Sequence, residues 1–314
     1  MADSDGRWER EVIEKLATAA LREQRRARQW GIFFKLLTFA FLALILMLAV
    51  DWKGKPEVAG KHTALVELDG LIAPGTDGSA DHVIAALDAA FKDKNTQGVV
   101  LRINSPGGSP VQAQDIHDEM LRLRRKYPGI PLYAVVQDIC ASGGYYVAVA
   151  ADKIFVNPNS IIGSIGVRMD SFGLTGLMQK LGIERRLLTA GSNKGFLDPF
   201  LPEDEKQKEY ALGMLEEIHQ QFIRAVREGR GKRLKETPDM FSGLIWTGRK
   251  GVELGLADGF GGLGYVARDV IGAKEVVDYT QKESLAEKLA RRFGAGAASA
   301  LAGIALRYDG MTVR

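Results

Sequence analysis

One cysteine in 314 residues leaves no intramolecular disulfide and no cysteine-based metal cluster. Cys140 therefore reads as a small buried apolar residue. Charge of one sign is not in excess either: 42 Lys+Arg stand against 39 Asp+Glu, a net +3. No aromatic-studded basic stripe interrupts that mixture, so nucleic acid is not an expected partner. Histidine is scarce, with four in the chain, and long apolar runs are absent save for one. The length is ample for a sizeable buried core.

The exception is WGIFFKLLTFAFLALILMLAV, residues 30–50, with Lys35 as its one charge. About 20 apolar residues cross a bilayer, so this run predicts a transmembrane helix. Lys35 lies near its N-terminal end, where a long stem can snorkel to the headgroups. A cleaved signal peptide fits less well, because a largely polar stretch of 29 residues precedes the run and VDWKGKPEVAG offers no clean small-residue cleavage site. Arg22, Arg25, Arg26 and Arg28 lie before the span, while Lys53, Lys55 and Lys61 after it are interleaved with Asp51 and Glu57. That asymmetry places the N-terminus, residues 1–29, in the cytoplasm and the rest beyond the membrane.

Residues 51–62 read as a polar linker, 63–280 as a folded domain, and 281–314 as a tail with helical pieces. Strands are expected at TALVEL (63–68), GVVLRI (98–103), PLYAVV (131–136), KIFV (153–156) and RLLTA (186–190). Apolar residues three and four apart predict helices over 81–93 and 111–127, and a longer one runs through EDEKQKEYALGMLEEIHQQFIRAVREG. The alternation indicates an α/β domain with a mainly parallel sheet.

Two glycine-rich turns follow strands directly: NSPGG (104–108) and the ASGG of CASGGYYVAVAAD (140–152). Glycine lets backbone N–H groups approach a ligand, and two converging amides make an oxyanion hole. Ser142 stands beside one of them, just before an expected helix. It is either a nucleophile or an ordinary N-cap. A nucleophile needs a base. His62, His82, His117 and His219 sit in linker or helix contexts that suit a Ser-His-Asp triad poorly. A lysine base must shed a proton it normally holds to about pH 10.4, which requires desolvation. Lys194, in TAGSNKGFLDPF, is flanked by small and apolar residues, unlike the lysines of the charged runs.

NSPGG, CASGGYYVAVAAD, SIIGSIGV, AGSNKGFLDPF and IWTGRKGVELGLAD together resemble bacterial signal peptide peptidase A, a family of membrane-anchored Ser-Lys peptidases. The motifs occur in the family's order over residues 100–258. The resemblance implies a ClpP/crotonase-like spiral of ββα units, Ser142 as nucleophile, Lys194 as general base, Ser164 hydrogen-bonding the lysine amine, and Gly108 and Gly143 as oxyanion-hole donors. It implies no metal or cofactor, cleaved signal peptides as substrates, the bacterial inner membrane as location, and a ring-shaped homo-oligomer, an octamer in the known case, with serine and lysine contributed by adjacent subunits. Ser109 departs from the pattern, standing where a third glycine is common. A crotonase-type acyl-CoA enzyme and a non-catalytic membrane scaffold of the same fold are the alternatives.

Overall fold

Parallel strands flanked by helices on both faces read as near-continuous apolar runs, and the first three strands of the domain obey that rule. The computed structural model describes residues 5–49 and 60–281; most of the expected linker and the tail from 282 onward lie outside the described residues. β1 (His62–Asp69), α2 (Ala80–Lys92), β2 (Thr96–Ser105), α3 (Pro110–Lys126), β3 (Leu132–Ala141) and α4 (Gly143–Ala148) follow in order. β1 pairs with β2 and β2 with β3, all parallel, with Leu65 opposite Val100 and Leu101 opposite Ala134.

Beyond β3 the sheet forks. The first half of β3 pairs with β4 (Lys153–Val156), which in turn pairs with β7 (Gly259–Phe260). Its second half pairs with β5 (Ile161–Gly163), and β5 pairs antiparallel with β6 (Ile245–Thr247). β8 (Val276–Asp278) closes the far edge against β1. The result is a mixed α/β sheet of the ClpP-like kind, with α2 and α3 connecting the parallel strands at its centre.

Side-chain alternation divides the core in two. Ala64, Val66, Leu68, Val99, Leu101 and Ile103 face α2, α3, α4 and the long α6 (Glu205–Arg230), while Leu65, Val100, Val135 and Phe155 pack with Val266 on the other face. Burying one such side chain contributes about 1.5–3 kcal/mol. The helix starts are chemically marked: Ser109 accepts from the Gln112 N–H ahead of Pro110 at the first position of α3, and Asp204 accepts from the Lys206 and Gln207 N–H groups at α6.

Two expectations change. RLLTA forms no strand; residues 183–189 run exposed, and Leu188 is 96% exposed. Among the described residues no strand pairs with this segment. His62 belongs to β1 rather than to the linker, its ring buried and bonded to the Gly60 carbonyl and the Tyr279 hydroxyl.

The N-terminal unit, taken by itself, is one helix, α1 (Asp5–Ala49), that continues through Trp30–Ala49 without a break. Within it Glu14–Leu44 is long and apolar enough, by length and composition, to cross a membrane.

Candidate active site

The end of β3 delivers Ser142 into a strand-to-helix turn. Its dihedrals, φ 52° and ψ −124°, are those glycine adopts at the first central position of type II′ turns. Holding a serine there costs on the order of 1–3 kcal/mol, so the surrounding structure must enforce it. It does. The Ser142 N–H donates to the Gly163 carbonyl at 2.8 Å, and the Ser142 carbonyl accepts from the Tyr145 and Tyr146 N–H groups at 2.9 and 3.0 Å. The hydroxyl occupies the N-cap position of α4 without capping it, and has no hydrogen-bond partner among the described residues. Ser142 is not a simple helix cap.

The NSPGG turn meets this serine. The Ile72 N–H donates to the Gly107 carbonyl at 2.9 Å and the Ser109 N–H to the Ile72 carbonyl at 2.8 Å, an isolated parallel bridge that leaves the Gly108 N–H unused. Among the described residues neither the Gly108 nor the Gly143 N–H has an acceptor. The two amides are neighbours, since a Cβ placed on Gly143 would lie 3.3 Å from the Gly108 nitrogen. Ser109 adopts φ −60° and caps α3. The missing third glycine therefore costs the turn nothing.

Ser164 directly follows Gly163, the acceptor of the Ser142 N–H, and is itself held at φ 51° with its N–H on the Leu244 carbonyl at 2.8 Å. Among the described residues only Ser142, Ser164 and Leu197 combine a side chain with positive φ. Two are candidate site residues and the third lies three residues after Lys194. Lys194 stands exposed on the segment between β5 and α6, and its side chain makes no hydrogen bond or ion pair among the described residues. This chain alone does not bring its amine into bonding contact with Ser142 or Ser164.

The histidines are occupied elsewhere. His82 bonds the Thr76 carbonyl, His117 pairs with Asp118, and His219 reaches the Ile165 carbonyl beside Ser164. No histidine bonds Ser142 among the described residues. Cys140 is fully buried, and burial pushes its thiol well above the usual range.

Sequence reasoning passed over the residues that brace the turn. Gly107 is one: a Cβ there would sit 2.6 Å from the Gly143 nitrogen and 2.8 Å from the Ser142 Cβ. The IWTGRKGVELGLAD motif supplies bracing rather than chemistry. Its Trp246 packs on Gly163, leaving 2.8 Å for any added Cβ, its Leu256 carbonyl accepts from the buried Tyr145 hydroxyl at 2.7 Å, and its Asp258 takes two hydrogen bonds from the buried Arg230. The signal for these was a buried-type tyrosine directly after SGG and an acid closing the last motif.

Comparison with known proteins accords with this geometry. The family model Peptidase family S49 matches residues 124–276, and that of Clp protease matches residues 70–163. The chain is 32% identical over 241 residues to "Putative protease MJ0651" of Methanocaldococcus jannaschii, covering 73% of this chain and 76% of that protein. The chain belongs to peptidase family S49. The S49 match takes in Ser142, Ser164 and Lys194, and the Clp protease match takes in Gly108, Ser142 and Gly143. Another relative is "Putative signal peptide peptidase SppA" of Enterococcus faecium, 31% identical over 54% of this chain and 49% of that protein. A third is "Na(+)/H(+) antiporter NhaA" of Brucella abortus, 45% identical over 60% of this chain. The alignment spans only 25% of that antiporter's length, and the antiporter activity is not carried over. The apolar α1 and the relative named SppA are consistent with membrane association.

Proposed function

We propose that this S49 chain is a membrane-anchored serine endopeptidase that cleaves signal peptides left in the membrane after their release from secreted proteins. One observation carries the reading: an uncommitted hydroxyl, Ser142, held in a strained turn beside two acceptor-free backbone amides. In the reaction Lys194, as the neutral amine, takes the Ser142 proton while Oγ attacks the scissile carbonyl carbon. The oxyanion rests on the Gly108 and Gly143 N–H groups, the C–N bond breaks, and the leaving amine takes the proton from Lys194. Water, deprotonated by the same amine, then releases the acyl group. Ser164 orients the lysine. No step needs a metal or cofactor.

The base comes from a neighbouring subunit in a ring-shaped homo-oligomer, an octamer by family resemblance. The support is the segment that carries Lys194: Phe172, Leu177, Leu181, Ile183 and Leu188 are all exposed on it. So many exposed apolar side chains on one segment suit an association surface, and covering that segment would desolvate the lysine. α1 spans the bacterial inner membrane with residues 1–29 in the cytoplasm. The domain, residues 63–280, then works at the extracytoplasmic face of that inner membrane, where apolar peptides emerge.

The test is hydrolysis of an apolar fluorogenic peptide by the full chain in detergent, followed against pH for wild type, Ser142→Ala and Lys194→Ala. Both variants should lose activity, and wild-type activity should rise with an apparent pKa well below 10. Mixing the two inactive variants should restore part of the rate, since some interfaces then pair an intact serine with an intact lysine. Near-normal rates for Lys194→Ala would remove the base assignment.

A further inference from the structure

α1 is an unbroken helix of 45 residues, about 67 Å at 1.5 Å per residue. Only the part after residue 29 is apolar, and the charge before it is unevenly distributed. Arg22, Arg25, Arg26 and Arg28 all fall within about 12 Å of Trp30 along the axis. At 100° per residue Arg28, Arg25, Arg22 and Arg26 occupy one arc of about 160°, with Gln29 inside it. Glu23, the acid of this stretch, falls on the opposite side. All four arginines are exposed, and none has an ion-pair partner among the described residues. Lys35, about one and a half turns into the apolar part, lies within about 20° of the Arg28 line, and helical side chains lean toward the N-terminus. Its ammonium thus reaches back to the same face. Trp30, Phe33 and Phe34 form an aromatic cluster at the junction, ring centroids 5.6–5.8 Å apart, as side chains do at the headgroup level of a bilayer.

We propose that this arginine face docks on anionic phospholipid headgroups in the leaflet that the helix leaves at Trp30. The inference rests on the reading of α1 as a membrane span. Guanidinium groups match phosphodiesters in geometry and charge, and at about 3, 6 and 7.5 Å from Trp30 along the axis Arg28, Arg26 and Arg25 lie within the Debye length of about 8 Å, with Arg22 contributing more weakly at about 12 Å. Each arginine at such a surface favours anionic over neutral lipid by about five-fold before screening. The face therefore gathers anionic lipid around the anchor and fixes the helix's rotation in the membrane.

The full chain is reconstituted in liposomes of phosphatidylcholine and phosphatidylglycerol, and the motionally restricted fraction of spin-labelled phosphatidylglycerol is compared with that of spin-labelled phosphatidylcholine. Wild type should favour phosphatidylglycerol about three-fold or more, and the preference should weaken in high salt. The combined change Arg22→Gln, Arg25→Gln, Arg26→Gln and Arg28→Gln should bring it close to one, whereas Glu23→Gln should leave it in place. Alkaline carbonate extraction of the same membranes separates the two readings. A chain retained in the pellet with equal affinity for both lipids, as an acidic protein partner for this face would leave it, overturns the docking proposal alone. Release into the supernatant overturns the span, and the docking proposal with it.

Discussion

Replacing Gly108 by alanine tests the oxyanion assignment where the structure is least forgiving. A Cβ at residue 108 would stand 2.0 Å from the Ile72 carbonyl oxygen and 2.8 and 2.9 Å from the Ile72 carbonyl carbon and nitrogen, all of them backbone atoms. The residue also sits at φ 152°, where a side chain is strained in any case. Relief needs a movement of about 1 Å in either the Ile72 segment or the NSPGG turn, and misplacement on that scale costs on the order of 10²-fold in rate. Outright loss of one oxyanion donor costs about 10²–10³-fold, or 2.7–4 kcal/mol. The fold should survive, because the bridge at risk holds two hydrogen bonds worth about 1 kcal/mol each. Turnover of the apolar peptide should thus fall by two to three decades, with little change in the circular-dichroism melt. Gly129→Ala is the control: nothing lies within 4 Å of its Cβ, and its φ lies outside the left-handed region. A folded Gly108→Ala enzyme turning over within about five-fold of wild type would refute the assignment of the Gly108 amide to the developing oxyanion.

Other predictions concern the bracing. Asp258→Ala leaves the buried Arg230 guanidinium without its counter-charge and should destabilise by about 3–5 kcal/mol in denaturant titration. Burial pushes the Asp258 carboxyl up, but the hydrogen bonds and charge of Arg230, the Ile154 N–H and Arg233 outweigh it and hold the group below its ordinary range. A carboxyl depressed on folding stabilises above its unfolded value of about 3.9 and loses that contribution as pH falls through its folded value. Melting of the wild type should therefore fall more steeply below about pH 4 than melting of Asp258→Ala. Tyr145→Phe orphans the Leu256 carbonyl and should cost about 1–3 kcal/mol in the same titration; an unchanged midpoint would show that the hydroxyl does not brace α4. Cys140 should resist maleimide in the folded chain and react only on unfolding, and rapid native labelling would contradict its burial.

Much of the fold was legible because its signals are local. Strands β1, β2 and β3 are short apolar runs between turn residues, and α3 and α6 announce themselves with an N-cap and an amphipathic stripe. The sheet's fork was not legible, because β5, β6 and β7 are three, three and two residues long and owe their pairing to β3, β5 and β4 in turn rather than to their own pattern. RLLTA failed for the complementary reason: its leucines suit a strand, but no strand among the described residues pairs with it. At the site, the glycines of NSPGG and SGG could be found, since a close backbone approach demands that residue type. What no pattern conveyed is that Ser142 and Ser164 occupy conformations suited to glycine. Selection for stability alone would place glycine at both positions. A serine at residue 142, held against a strain on the order of 1–3 kcal/mol with its hydroxyl uncommitted, is the arrangement that the proposed nucleophile requires. If Ser164 orients the lysine as proposed, Ser164→Gly should relieve strain while lowering the rate, an outcome that a merely structural serine would not give.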